Sequence, residues 1–89
     1  MDLLQEVKNR LLITGNFHDT MFLGYIEDVK NYMLGAGVKK SIVESEQAVG
    51  CICKGVSDLW INGTFSELFK QRLIQLSLEV EDVQSETTV

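Results

Sequence analysis

Apolar residues recur at helical spacing in four stretches of this chain, divided by short polar or glycine-bearing breaks. In the first, from about Asp2 to Ile13, Leu3, Leu4, Val7, Leu11 and Leu12 fall on one stripe. Asp2 and Gln5 have the spacing of an N-terminal capping pair. The stretch stops at Thr14-Gly15-Asn16, where Gly15 suits the left-handed conformation that ends a helix. The second runs from about Asp19, a natural N-cap, to Leu34. Phe22, Tyr25, Ile26, Val29, Tyr32 and Met33 recur there at threes and fours, and Gly35-Ala36-Gly37 ends it.

The third stretch begins at Ser41 or Val43 and reaches Ile61, with a wide apolar face that includes Ala48, Val49, Ile52, Cys53, Val56 and Leu59. Ser41 with Glu44 repeats the capping spacing. Asn62-Gly63 stops this stretch. Such a pair also makes hairpin turns, but the flanking periodicity is helical and favours a C-cap. The fourth runs from about Thr64, paired with Glu67 as a third capping pattern, to Val80, with Phe65, Leu68, Phe69, Leu73 and Leu76 on one face. Gly24, Gly50 and Gly55 sit inside these helices, where glycine costs about 1 kcal/mol against alanine. Each therefore predicts a close approach by a neighbouring helix.

The expected fold is all-α: a small bundle of about four helices over residues 1–80, with a flexible acidic tail over 81–89. Short breaks make sequential helices neighbours. Proline is absent, so no ring blocks a helix interior. The 89 residues make one domain at most, and a chain of this size buries only about two-thirds of its unfolded surface. Partner contacts would therefore add useful stability. With 45% hydrophobic and 24% charged residues, the chain is too apolar for full disorder.

Charge is uneven. Of the net −5, residues 79–89 carry −4 through Glu79, Glu81, Asp82 and Glu86, while residues 1–78 are nearly neutral. Tight nucleic-acid binding needs a surplus of Lys and Arg to neutralise phosphates, and this chain lacks it. A weakly acidic surface would let a duplex pass without sticking. Met1-Asp2-Leu3-Leu4 does not read as a signal peptide, and no apolar run is long enough to span a bilayer. A reducing cytosol, where thiols stay free, is the expected setting.

The candidate chemistry is thin. Cys51 and Cys53 form C-x-C, but on a helix they point about 200° apart, and there is neither a second cysteine pair nor more than one histidine. Core packing accounts for them better than a metal. His18 beside Asp19 could mimic an oriented base, but no nucleophile accompanies it, so loop packing is preferred. Glu27 and Asp28, like Glu44 and Glu46, lie off the apolar stripes and read as solvated. Gly35 to Ser41 lacks the spacing of a phosphate-binding loop. Lys39-Lys40 is the only paired base; it reads first as solvated loop charge, with a weak, salt-sensitive phosphate contact as the alternative. Trp60 and Phe65 flank the Asn62-Gly63 turn, with Phe69 one turn on; they either plug the bundle end or anchor a subunit contact. No catalytic residue, cofactor or metal site is expected.

Several segments in order resemble the head-to-tail connector family of tailed bacteriophages. Val7 to Thr14 ends a first helix before a short polar loop, and His18 to Met33 is similar to the family's acidic loop and long helix. Gly35-Ala36-Gly37-Val38 resembles its glycine turn. Val56-Ser57-Asp58-Leu59-Trp60, followed by Phe65 to Leu76, resembles the F-x-Q-R-x-x-Q-L ending of DNA-packaging connectors. The likeness spans about residues 3–78; the acidic tail departs from it.

The resemblance implies a non-enzymatic virion assembly protein. Such a protein would form a homo-oligomeric ring of roughly twelve copies, closed by head-to-tail contacts. The ring would sit beneath a portal protein, against a tail-completion or stopper protein, with DNA as a passenger and no membrane. It implies ring or packing contacts from Gln71, Arg72, Gln75 and Leu76, beside Trp60, Phe65 and Phe69. It also implies a portal-docking arm about Glu79, Glu81, Asp82 and Val83, ordering on binding. The expected setting is the virion, or the bacterial cytoplasm during assembly or from a prophage. The chief rival is a small helical regulatory or adaptor protein with one protein partner; a helix-turn-helix DNA binder lacks its basic face.

Overall fold

A computed structural model describes the backbone of residues 2–88 and the side chains of residues 2–78. The described residues are all-α. In order come α1 (Leu3–Arg10), α2 (Asp19–Gly35), the single turn α3 (Lys40–Val43), a 3-10 turn (Glu46–Ala48), α4 (Val49–Asn62) and α5 (Glu67–Thr88). The third apolar stretch is therefore not one helix. The backbone breaks at Glu44 and Ser45, and the Ser45 hydroxyl donates to the Ile42 carbonyl at 2.7 Å. That local bond competes with a continuous ladder, as serine side chains often do. The Ser41–Glu44 cap is not formed: Lys39 stands at the cap position, with no side-chain bond.

Helix ends follow glycine chemistry, with one exception. Gly63 at φ +76° caps α4, its N–H donating to the Asp58 and Leu59 carbonyls. Gly37 at φ +99° ends α2, with Val38 N–H reaching the Met33 carbonyl. α1, however, ends before Gly15. Leu12 takes the left-handed position itself at φ +58°, while Ile13 N–H donates to the Lys8 carbonyl and Leu12 N–H to that of Asn9. This is the helix-ending pattern that normally recruits glycine. A left-handed leucine costs roughly 1–2 kcal/mol, and Leu12 is 90% exposed, so burial does not offset it.

α4 is the hub. It packs against α1, α2 and α5, so most of its surface is covered. The core joins Val7 of α1, Phe22, Ile26, Val29 and Met33 of α2, Ile52 and Val56 of α4, and Phe69, Leu73 and Leu76 of α5. The expected close approach occurs at one of three glycines. A Cβ on Gly55 would lie 2.8 Å from Phe69 Cε1 and 2.9 Å from each Val29 methyl, while Gly24 and Gly50 have nothing within 4 Å.

α5 stays helical to Thr88, past Val80, where the apolar face gives out. No glycine or proline lies between Glu67 and Thr88 to stop it. The side chains of residues 79–89, and with them the expected flexible acidic arm at Glu79, Glu81, Asp82 and Val83, lie outside the described residues.

Candidate interaction surfaces

The α4–α5 joint is built on a buried acid that the sequence reading passed over. Asp58 is 2% exposed. Its Oδ2 accepts from the Ser66 N–H at 3.0 Å and the Ser66 hydroxyl at 2.7 Å, and its Oδ1 lies 3.0 Å from Lys54 Nζ. Ser66 Oγ in turn accepts from the Phe69 N–H at 3.2 Å and so caps α5. The Thr64–Glu67 cap is thus corrected to Ser66, because only Ser66 reaches both the helix and Asp58. Burial pushes the Asp58 carboxyl up. The Ser66 hydroxyl, the Ser66 N–H and Lys54 together outweigh it and hold the group below its ordinary value. An aspartate four residues before the Asn62-Gly63 stop and eight before a serine was the available signal.

Two residues on in α4, Trp60 is half-buried, its ring 5.1 Å from His18 and 5.0 Å from Phe22. His18 therefore packs in an aromatic group, with Phe17 edge-on at 4.8 Å. It also stands at the cap position of α2 expected of Asp19, without a capping bond. Asp19 instead places Oδ1 2.8 Å from Lys8 Nζ, tying α2 to α1. That oxygen has no aligned hydrogen-bond donor, so the contact is Coulombic. Phe65 belongs to a separate group, stacked on Phe69 at 4.5 Å and tilted on Tyr32 at 4.7 Å. Trp60 and Phe65 thus do not act as one plug.

Phe69 and Leu76 are core residues, whereas Gln71, Arg72 and Gln75 are exposed. Arg72, Gln75 and Leu76 come together with Gln47, Gly50 and Cys51 around an open cleft of about 350 Å³ between the start of α4 and α5. Lys39 and Lys40 are exposed and lie away from that cleft's lining.

Cys51 and Cys53 are free and buried on different sides of α4. Burial pushes the Cys51 thiol up, partly opposed by Arg72 of α5. Burial also raises Cys53, with Arg10 of α1 opposing and Glu6 adding. Thiolate is the reactive form, so both should resist alkylation at pH 7 in the folded chain. Iodoacetamide labelling followed by mass is expected to be slow for both and to become fast in urea. Rapid native labelling of either would contradict this burial.

Among the described residues, no group of three or more His, Cys, Asp or Glu side chains could hold a metal, and no helix is long and apolar enough to cross a membrane. What the fold does present is large apolar side chains at the surface. Leu12 and Phe17 project from the α1–α2 loop, Ile61 from the end of α4, and Leu68, Ile74 and Leu78 from α5. Comparison of the chain with protein-family models, with curated proteins and with solved structures finds no match in any of the three.

Proposed function

We propose that this chain is a structural assembly part that acts by fitting against copies of itself and against neighbouring proteins, in the manner of a phage head-to-tail connector. The observation that carries the reading is the pair of apolar surfaces, one in the α1–α2 loop and one on α5, each with large side chains half or more exposed. Exposed apolar side chains that gather into a patch mark an interaction surface. The ordered resemblance of residues 3–78 to the connector family supplies the specific context: a ring beneath a portal, with DNA passing through. Exposed Gln71, Arg72 and Gln75 offer polar contacts for its rim, Lys39 and Lys40 a weak contact for a passing phosphate, and the acidic segment from Glu79 an arm for the portal.

Light scattering after size exclusion, with negative-stain imaging, is expected to show closed rings at high concentration or with purified portal protein present. Truncation after Leu78 is expected to weaken portal capture while ring formation persists. A chain that stays monomeric and ignores the portal would overturn the reading. Capture of a single non-portal protein at one-to-one stoichiometry would replace it with the adaptor alternative.

A further inference from the structure

The stop of α4 is also the chain's only Asn-Gly pair. In such a pair a backbone nitrogen can attack the side-chain amide before it, because glycine has no Cβ to obstruct the approach. The other asparagines, Asn9, Asn16 and Asn31, precede the bulky Arg10, Phe17 and Tyr32. Asn62 and Gly63 are both exposed, so water reaches the reacting groups. The backbone, however, is set against the reaction. Asn62 is the last helical residue of α4, and its helical torsion sends the Gly63 N–H back to the Asp58 and Leu59 carbonyls, each at 3.1 Å. The proton that the nitrogen must lose is thus held by two acceptors. Ring closure also needs the nitrogen aligned on the side-chain carbonyl carbon, and the cap fixes it elsewhere. One residue pins both ends of this turn: the Asp58 carbonyl receives Gly63, and the Asp58 carboxylate holds the N–H and hydroxyl of Ser66.

We infer that Asn62 is a deamidation site that the fold keeps closed, that it reacts only when the α4–α5 turn opens, and that the reaction then stops the turn from closing again. In the open turn the Gly63 nitrogen loses its proton and bonds to Asn62 Cγ. The Cγ–Nδ2 bond breaks, the amide takes up the equivalent proton, and ammonia leaves a cyclic imide behind. Water then opens the ring. Cleavage of the new N–Cγ bond gives aspartate at position 62. Cleavage of the original bond between that nitrogen and the Asn62 backbone carbonyl carbon gives isoaspartate, with the chain routed through the side chain. No electrons are transferred; one ammonia is lost and one water is gained. Either product harms the cap. Aspartate sets a negative charge at the negative end of the α4 dipole. Isoaspartate lengthens the backbone by a methylene, so the Gly63 N–H no longer meets the Asp58 and Leu59 carbonyls. Local openings of this kind are far more frequent than global unfolding, so the modification marks chains that have opened at this joint. The device is a property of the single chain and does not depend on the assembly reading.

Peptide mapping of the full-length chain by mass, after incubation in mildly alkaline buffer, reads the site directly. Folded protein is expected to exchange ammonia for water at Asn62 at least about tenfold more slowly than the same chain in urea. Asn9, Asn16 and Asn31 should stay intact in both. Ser66→Ala removes one of the two bonds to Asp58 and should react at a rate between the two, because the rate follows the fraction of chains open. Modified chain, separated by its extra negative charge on anion exchange, should melt several degrees below untreated protein. Asn62→Gln carried through the same urea treatment should refold to its own starting Tm. An Asn62 that reacts equally fast folded and unfolded, or that survives in urea, would overturn the protected site. A Ser66→Ala chain no faster than the parent would remove the turn as its gate, and modified chain that melts with the parent would remove the one-way step.

Discussion

Gly55→Leu is expected to leave the chain without a cooperative unfolding transition, and Gly55→Ala to lower stability by about 1–2 kcal/mol. The cause is space. The first added carbon already falls 2.8–2.9 Å from Phe69 and Val29, both fully buried. Valine is stiff about its first torsion and the Phe69 ring is packed in the core, so neither yields easily. Overpacking costs about 1–3 kcal/mol, and alanine's better helix propensity returns about 1 kcal/mol at most. Leucine adds three more carbons to the same place. Gly24→Ala and Gly50→Ala meet nothing within 4 Å and should instead stabilise by about 0.5–1 kcal/mol. Urea midpoints at constant slope measure the three alanine variants, and the absence of a urea transition marks Gly55→Leu. An alanine at position 55 that stabilises as much as one at position 24 would contradict this packing.

Asp58→Ala is the second large loss, expected at about 3 kcal/mol. Hydrogen bonds to a charged group are worth about 1.5–3 kcal/mol, and removing one partner of a buried pair strands the other. The loss falls chiefly on Ser66 and the α5 cap; Lys54 is about a third exposed and recovers water, so its share is discounted. Asp58→Asn keeps one acceptor oxygen and should lose less. The acid also sets a pH dependence. Its folded pKa lies below its unfolded value, so the unfolded chain binds the proton first as pH falls. This contribution is complete above the unfolded carboxylate pKa of about 4 and disappears as pH drops through the lowered folded value. Asp58→Asn should flatten that acid limb. An acid limb unchanged by Asp58→Asn would remove Asp58 as its cause.

What was legible from the residues followed from periodicity. Phe22, Ile26, Val29 and Met33 are the buried stripe of α2, and the Asn62-Gly63 stop and the Asp2 cap formed as spacing indicates. What was not legible depended on tertiary placement. Three helical glycines look alike in a string of letters, yet only Gly55 faces a neighbour, lying where α4 meets Val29 of α2 and Phe69 of α5. Leu12 reads as one more apolar stripe residue, yet α1 closes early and turns it to solvent. Asp58 carries no signal in the periodicity, and its role appears only where Ser66 folds back on it. The third stretch reads as continuous because periodicity does not see the Ser45 side chain bonding its own backbone. Among the interaction residues, Phe69 and Leu76 could be sorted from Gln71, Arg72 and Gln75 only once α5 had a buried side.

The hub position of α4 distributes evolutionary latitude unevenly. A change on α2 or α5 can be absorbed by repacking against one neighbour, whereas a change on α4 must satisfy α1, α2 and α5 together. Related chains should therefore drift fastest along the outer helices. They should keep longest the register of small, apolar and acidic positions from Val49 to Asn62, where a glycine and an aspartate one turn apart each answer to a different partner.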